Sequence, residues 1–424
     1  MTELVIIADD LTGAADGAAL MTRRGSTSIV LDPDEEWPPA EVVAVDTDSR
    51  HRAPGLAAAR VAAAARRARQ LGAPVFKKVD STMRGNIAVE LRALTGALGG
   101  EAVRPLVVMA AAFPAMSRTT VGGVVHVDGT RLDAHGSDGD LVGLLTRGGL
   151  RTRPLGLRAL AAAAELAAAL DAAHAAGEHA VVVDGVTEQH LETVAAAARL
   201  ALCPLVLAGS GGLGRALAGP AAEASLVEDA GERPPWAVGE ARGGHALVVV
   251  GSHAPQARAQ LARLAERGVR IVWLDGPTER TSARLRDGLR RGPVALAPDA
   301  AAPVVRGEAP RVARALAASA VAALDEAGHL VATGGETARA VLGTLGVTRL
   351  DVLGELEPGV VRCAVPGRGL RLTLKAGAFG DPDTLLRCLA WPSHPGSRTT
   401  GRPLTPPVGE TVRHPPGSRG ELPE

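Results

Sequence analysis

Short β-rich runs alternate with longer Ala/Leu/Arg-rich segments of helical period along most of this chain, beginning with "ELVIIADD" at its start. That alternation is the pattern of an α/β protein with mostly parallel sheets. It predicts strands over 4–8, 27–31, 42–46, 74–79, 105–110, 179–183 and 204–208. Strands resume over 245–250, 269–274, 293–297, 329–333, 349–353 and 370–375. Helices are predicted over 13–24, 54–71, 86–98, 158–176, 188–201, 255–267, 308–327, 336–345 and 382–389.

The alternation breaks once, at "DAGERPPWAVGEARGG" (229–244), a stretch rich in Gly, Pro and charge. It reads as a linker between two domains, 1–228 and 245–390, each a mostly parallel sheet flanked by helices. From 391 the chain turns Pro/Gly/Ser/Thr-rich without periodicity, which predicts a disordered tail over 391–424. Composition adds exclusions. Lys+Arg and Asp+Glu are equal at 46 each, so no electrostatic footprint for nucleic acid or an acidic membrane is expected. Three widely spaced cysteines form no CxxC pair, against a disulfide framework or a Cys-rich zinc site. No apolar run reaches the length of a membrane span, and the N-terminus reads as a strand rather than a leader. A cytoplasmic protein is expected, and a homodimer would suit its size.

In open α/β sheets ligands bind beyond the carboxyl ends of the strands. Strand 4–8 delivers Asp9 and Asp10; strand 42–46 delivers Asp46, Asp48 and Arg50; strand 74–79 delivers Lys77, Lys78, Asp80, Ser81 and Arg84. Carboxylates mixed with fixed cations suit a polar, anionic, hydroxylated substrate. The third segment, "VFKKVDSTMRGN", holds two of the chain's three lysines (the other is Lys375) and its only asparagine, Asn86. The competing readings are an N-cap for Asp9–Asp10 and solvated turns for the other two segments.

Three glycine-bearing strand ends stand in the second half: "VVVGSHAPQARAQL" (248–261), "LVATGGETARAVL" (330–342) and "LTLKAGAFG" (372–380). The first two set a hydroxyl, Ser252 or Thr337, and free backbone N–H groups at a helix start, where phosphate binds. Together the three favour nucleotide phosphates. Another turn, "VLAGSGGLGRALAG", contains G-x-G-x-x-G as Gly209, Gly211 and Gly214, which leaves an NAD(P)-dependent oxidoreductase as an alternative. No G-x-x-x-x-G-K-[ST], HExxH or GxSxG occurs, and no metal ligand set stands out.

The segments "IIADDLTGAADGAA", "FKKVDSTMRGN", "FPAMSRTTVGGVV", "VVVDGVTEQHL", "LAGSGGLGRALA", "VVVGSHAPQARAQL", "ATGGETARAVL" and "LKAGAFG", in that order, resemble the four-carbon acid sugar kinase family. The resemblance spans nearly all of 4–390. It implies a sugar-acid-binding domain followed by a nucleotide-binding domain, with the active site in the cleft between them. The implied activity is ATP- and Mg²⁺-dependent phosphorylation of the terminal 4-hydroxyl of a threonate, an erythronate or a 3-oxo-tetronate. Ser252, Gly334, Gly335, Glu336, Thr337 and Gly377 fall at implied ATP positions, and Asp9, Asp10, Asp80, Arg84 and Asn86 in the implied substrate region. Glu336, Ala376 and Ala378 depart from the family's usual "GGDT" and "KSGGFG", and 129–145 matches the usual loop poorly. On this footing Arg84 would clamp the carboxylate, Arg50 would be a further substrate-binding residue, and Asp9 and Asp10 would bind hydroxyls. One of these aspartates or Asp80 would serve as base, and Lys77 or Lys78 would meet the charge on the transferring phosphoryl. Adjacent strand residues point to opposite faces, so one lysine of the two is expected to be structural. A non-catalytic sugar-acid sensor is the second alternative.

Overall fold

The computed structural model of the chain describes residues 1–99, 103–133, 138–219, 244–299 and 308–390. The predicted disordered tail (391–424) and all of the predicted linker but Gly244 lie outside the described residues. Among the described residues fifteen strands join into one sheet, and three short strands form a second. From one edge the second half of the chain contributes Arg270–Leu274, Val294–Pro298, His245–Val250, Ala327–Thr333, Leu370–Lys375, Val360–Val365 and Arg349–Glu357. The first half continues with Thr27–Val30, Val42–Asp46, Leu4–Ala8, Val75–Lys78, Leu205–Gly209, Leu106–Ala110, Ala180–Val183 and Thr152–Leu155.

Within the large sheet, every pairing between first-half strands is parallel. The second half is parallel from Arg270–Leu274 to Leu370–Lys375, then antiparallel. The halves meet where Arg349–Glu357 runs antiparallel to Thr27–Val30, with Leu350 opposite Ile29. The expected α/β architecture, mostly parallel with flanking helices, is present, and the two halves of the chain join in one continuous sheet at a single edge-to-edge seam.

Helices cover both faces, so the strands are apolar on both. In Leu4–Ala8 the side chains alternate: Val5 and Ile7 belong to a core with Val61, Ala64, Ala68 and Leu91. Ile6 and Ala8 belong to the opposite core with Leu11, Ala15, Leu191 and Leu213. Fully burying each large aliphatic chain is worth roughly 1.5–3 kcal/mol relative to exposure.

Strand order reverses beside Leu4–Ala8 in the first half and beside His245–Val250 in the second. Leu4–Ala8 has Val42–Asp46 on one side and Val75–Lys78 on the other. His245–Val250 likewise lies between Val294–Pro298 and Ala327–Thr333. Side chains at the carboxyl ends of these strands diverge around a crevice. The small sheet (Arg118–Val121, Val124–Val127 and Thr130–Arg131) is antiparallel. Its first turn is Gly122–Gly123, both at positive φ (60° and 75°), as a tight hairpin of this kind requires. Asp184 accepts hydrogen bonds from both of their N–H groups, at 2.7 and 2.9 Å.

Candidate active site

A cavity of about 340 Å³ is lined by residues from both reversal points. Its first wall is built on the end of Leu4–Ala8. Asp10 caps helix Leu11–Ala19, accepting from Gly13 N at 2.8 Å and from the Thr12 hydroxyl at 2.7 Å. The N-cap and the site position are therefore one and the same.

The loop after Val42–Asp46 is pinned to that end, with Thr47 Oγ1 donating to Ala8 O at 2.7 Å and Ser49 N to Asp9 O at 2.9 Å. It delivers Arg50, whose guanidinium grips Asp9 through Nε (2.8 Å) and Nη2 (2.9 Å). The same group holds both oxygens of Asp10, at 2.6 and 2.8 Å, and lies 3.7 Å from Asp80. Burial works against the charge on Arg50, but Asp9, Asp10 and Asp80 hold it protonated well above its ordinary range. Burial also pushes Asp9 up, and Arg50 more than offsets it, leaving Asp9 below the usual carboxylate range.

Asp80, two residues beyond Val75–Lys78, takes Arg84 through Nε (2.9 Å) and Nη2 (2.6 Å). Against its burial, Arg84 and Arg50 hold Asp80 far below the usual range. Arg84 is thus already clamped on a protein carboxylate.

Strand alternation separates the two lysines. Lys78 lines the cavity, its ammonium 3.6 Å from Asp16. Lys77 points into the opposite layer, fully buried, and pairs with Glu90 at 2.9 Å. Its candidacy for the phosphoryl group is corrected accordingly: pleating carries it away from the cavity. Asn86 is likewise not brought into the cavity. Its amide donates to Ser49 O (2.9 Å) and Arg52 O (3.0 Å), fastening the Arg50 loop from behind.

The second wall comes from the glycine turns. Gly334 (φ 91°) donates its N–H to Lys375 O at 2.9 Å, and Gly335 opens helix Gly335–Thr344. A Cβ at Gly335 would lie 3.2 Å from Asp10 Oδ2, so this turn and the Asp10 cap approach as backbone and side chain only because Gly335 has none. A Cβ at Gly377 would run into the Ser252 hydroxyl. Ser252, Gly334, Gly335 and Gly377 all line the cavity. Thr337 is buried under Gly251, and Glu336 is exposed outside the lining. Below the turn Lys375 is fully buried and donates to Ala376 O at 2.8 Å; burial draws its pKa down to about 8.

Of the remaining strand-end candidates, Asp46 is taken by Arg339 of the Gly335–Thr344 helix, which also meets Asp48 at 3.3 Å. Burial, opposed by Arg339, pushes Asp46 up to about 7. The G-x-G-x-x-G turn is packed against protein. A Cβ at Gly209 would strike Ala110 O, and one at Gly211 would fall 2.7 Å from the Phe113 ring and 2.8 Å from Asp16. These glycines serve close strand–helix packing, and Gly211 also lines the cavity. Among the lining residues that sequence reasoning missed are Asp16, Phe113, Arg118 and Phe379. A carboxylate inside the Ala/Gly-rich helix Leu11–Ala19 was the available signal for Asp16.

Family models match in two blocks, a sugar-binding N-terminal domain over 4–217 and a nucleotide-binding C-terminal domain over 247–385. A D-threonate kinase of Cupriavidus necator is 37% identical over 93% of this chain and 98% of its own length. A D-erythronate kinase of Heliobacterium modesticaldum is 31% identical over 92% and 97%. A 3-oxo-tetronate kinase of Methylobacterium radiotolerans is 30% identical over 90% and 97%. A solved structure from Salmonella typhimurium LT2 shares the fold with TM-score 0.75 at 24% identity, over 92% of this chain and 99% of that one. Matched along nearly its whole length, this chain belongs to the four-carbon acid sugar kinase family.

Proposed function

We propose that this protein transfers the terminal phosphoryl group of ATP to the 4-hydroxyl of a four-carbon sugar acid of the threonate, erythronate or 3-oxo-tetronate class. The observation that carries the reading is the meeting of the two strand-order reversals on one cavity. One brings charged side chains and the other brings three glycine-bearing turns. Residues 1–228 would hold the acid and 245–390 the nucleotide.

The turns fit phosphates. The start of helix Gly335–Thr344 and the Gly377 turn lie beside the Ser252 hydroxyl, and a Cβ at Gly377 would fill the space. Bound Mg-ATP would supply the phosphoryl group and a charge-neutralising cation. Among the described residues no cluster of three metal-ligating side chains occurs, so the cation would be held largely by the nucleotide.

Phosphoryl transfer depends on positioning and charge more than on covalent help. Lys78 is the lining ammonium for the charge that builds in transfer. Asp10, fixed by Arg50 and its helix cap, is rigid enough to orient hydroxyls. Asp9 and Asp80 are poor proton acceptors, because their guanidinium partners favour the ionised form. Asp16 has Lys78 at 3.6 Å as its ion-pair partner, no guanidinium clamp, and an edge on the cavity. It is the carboxylate we assign to receive the hydroxyl proton.

The test is ADP release with Mg-ATP across D-threonate, D-erythronate and 3-oxo-tetronates, read beside NAD(P) reduction. Turnover on one acid is expected, with no nicotinamide chemistry. Binding of an acid without turnover would overturn the kinase reading in favour of a sensor.

A further inference from the structure

The "FPAMSRTTVGGVV" segment contributes Arg118 to the cavity, and nothing so far gives this guanidinium a task. It stands at the start of the small sheet, held by main-chain bonds to Phe113 in both directions, at 2.8 and 3.1 Å. Its group lies 5.7 Å over the Phe379 ring, from the turn that also carries Gly377.

Its polar partners are few. Among the described residues its one side-chain hydrogen bond is from Nη1 to Met116 O at 3.3 Å, and its Nε is buried with none. Burial lowers its pKa, and the nearby Arg84 charge lowers it further, against Asp80 and Asp128. The other two lining guanidiniums are spent: Arg50 on Asp9 and Asp10, Arg84 on Asp80. A partly buried cation with an orphaned donor is costly unless an anion comes to it.

We propose that Arg118 is the specificity residue that receives the carboxylate of the sugar acid, a proposal that rests on the kinase reading above. Its planar fork suits a static carboxylate. Phe379 beneath it and Phe113 beside it shield the pair from water, which strengthens the interaction. An acid would thereby be distinguished from the neutral four-carbon polyol by one residue of the first half set against one aromatic ring of the second.

The test is calorimetric binding of D-threonate, D-erythronate and a neutral tetritol to the full-length protein and to Arg118→Met and Arg118→Lys. A non-hydrolysable ATP analogue is titrated in parallel. The expected result is an acid affinity weakened on the order of 100-fold in Arg118→Met, with partial recovery in Arg118→Lys. Tetritol and nucleotide affinities should stay within about twofold, which also shows the variant to be folded. Unchanged acid affinity would overturn the proposal. A selective loss of nucleotide affinity would overturn it too, by assigning Arg118 to the ATP phosphates. Arg118-dependent acid binding without turnover in the wild type would sink the kinase reading and leave this assignment standing.

Discussion

Replacing Lys77 by Met tests the division of labour between the two adjacent lysines. Lys77 and Glu90 are both essentially buried, and their charged atoms are 2.9 Å apart. At that separation and an effective dielectric near 20, the attraction is about 6 kcal/mol. Much of this offsets the desolvation of the two ions, so the pair itself adds little to stability. Removing one partner is different, since Glu90 would keep only the Ser49 hydroxyl at 2.7 Å. A stranded buried charge costs about 3–5 kcal/mol. Lys77→Met should lower the urea-unfolding free energy by that amount. Lys77→Met combined with Glu90→Leu should recover most of it, because Ser49 retains Thr47 Oγ1 at 2.8 Å. Activity per folded molecule should change little. Lys78→Met should cost less stability than Lys77→Met, because Asp16 keeps an edge on the cavity, but at least ~100-fold in kcat. Tryptophan-monitored urea titrations with steady-state ADP release read both quantities. A double variant no more stable than Lys77→Met, or a Lys78→Met enzyme with wild-type kcat, would refute the assignment of the lysines to opposite layers with separate tasks.

Gly377→Ala should force the Ser252 turn outward, since the new methyl would also lie 2.8 Å from Ser252 Cβ. KM for ATP should rise roughly tenfold, about 1.4 kcal/mol of binding, with KM for the acid little changed; an equal rise in both would contradict the nucleotide role. Asp46 predicts a pH effect. Its folded pKa of about 7 lies above the ordinary 3.8, so the folded state holds the proton more tightly than the unfolded chain. The stabilisation is complete below about 3.8 and is lost as pH rises through about 7. Asp46→Asn should flatten the fall in urea midpoint between about pH 4 and about pH 7, and an unchanged slope would rule the residue out as its source.

Much of the scaffold was legible because it is written locally. Runs such as Leu4–Ala8 and, past its exposed first residue, His245–Val250 are apolar and adjoin helical segments, so both their type and their crevice ends could be read. Among the elements that were missed, three have identifiable reasons. Helix Thr278–Leu289 is so rich in charge that only a narrow face (Thr281, Ser282, Leu285, Gly288 and Leu289) is buried. Edge strand Thr152–Leu155 carries a proline and is half exposed. Strand Val360–Val365 is set by its antiparallel neighbours on either side, which are partners in space. Within the cavity, the strand-end rule found Asp10, Arg50, Lys78, Asp80 and Arg84. It could not say that Arg84 would be spent on Asp80, or that Asn86 would fasten a loop, because hydrogen-bond partners are chosen in three dimensions. Arg118 was hidden for the same reason: its aromatic partner, Phe379, lies in the other half of the chain.

The seam between Thr27–Val30 and Arg349–Glu357 has a consequence for biosynthesis. Ser28 hydrogen-bonds Asp351, a partner 323 residues downstream, at 3.2 Å. As the chain leaves the ribosome, the first half can assemble its own parallel strands early. Its flank at Thr27–Val30 then presents open N–H and C=O groups until the late strand arrives. At elongation rates of about 5–20 residues per second the wait is on the order of tens of seconds. During it the open flank is a template for any stray strand, including that of a second nascent copy. Chains cut short before Arg349 should therefore be the aggregating species in cells, even where each has a complete charged wall of the cavity.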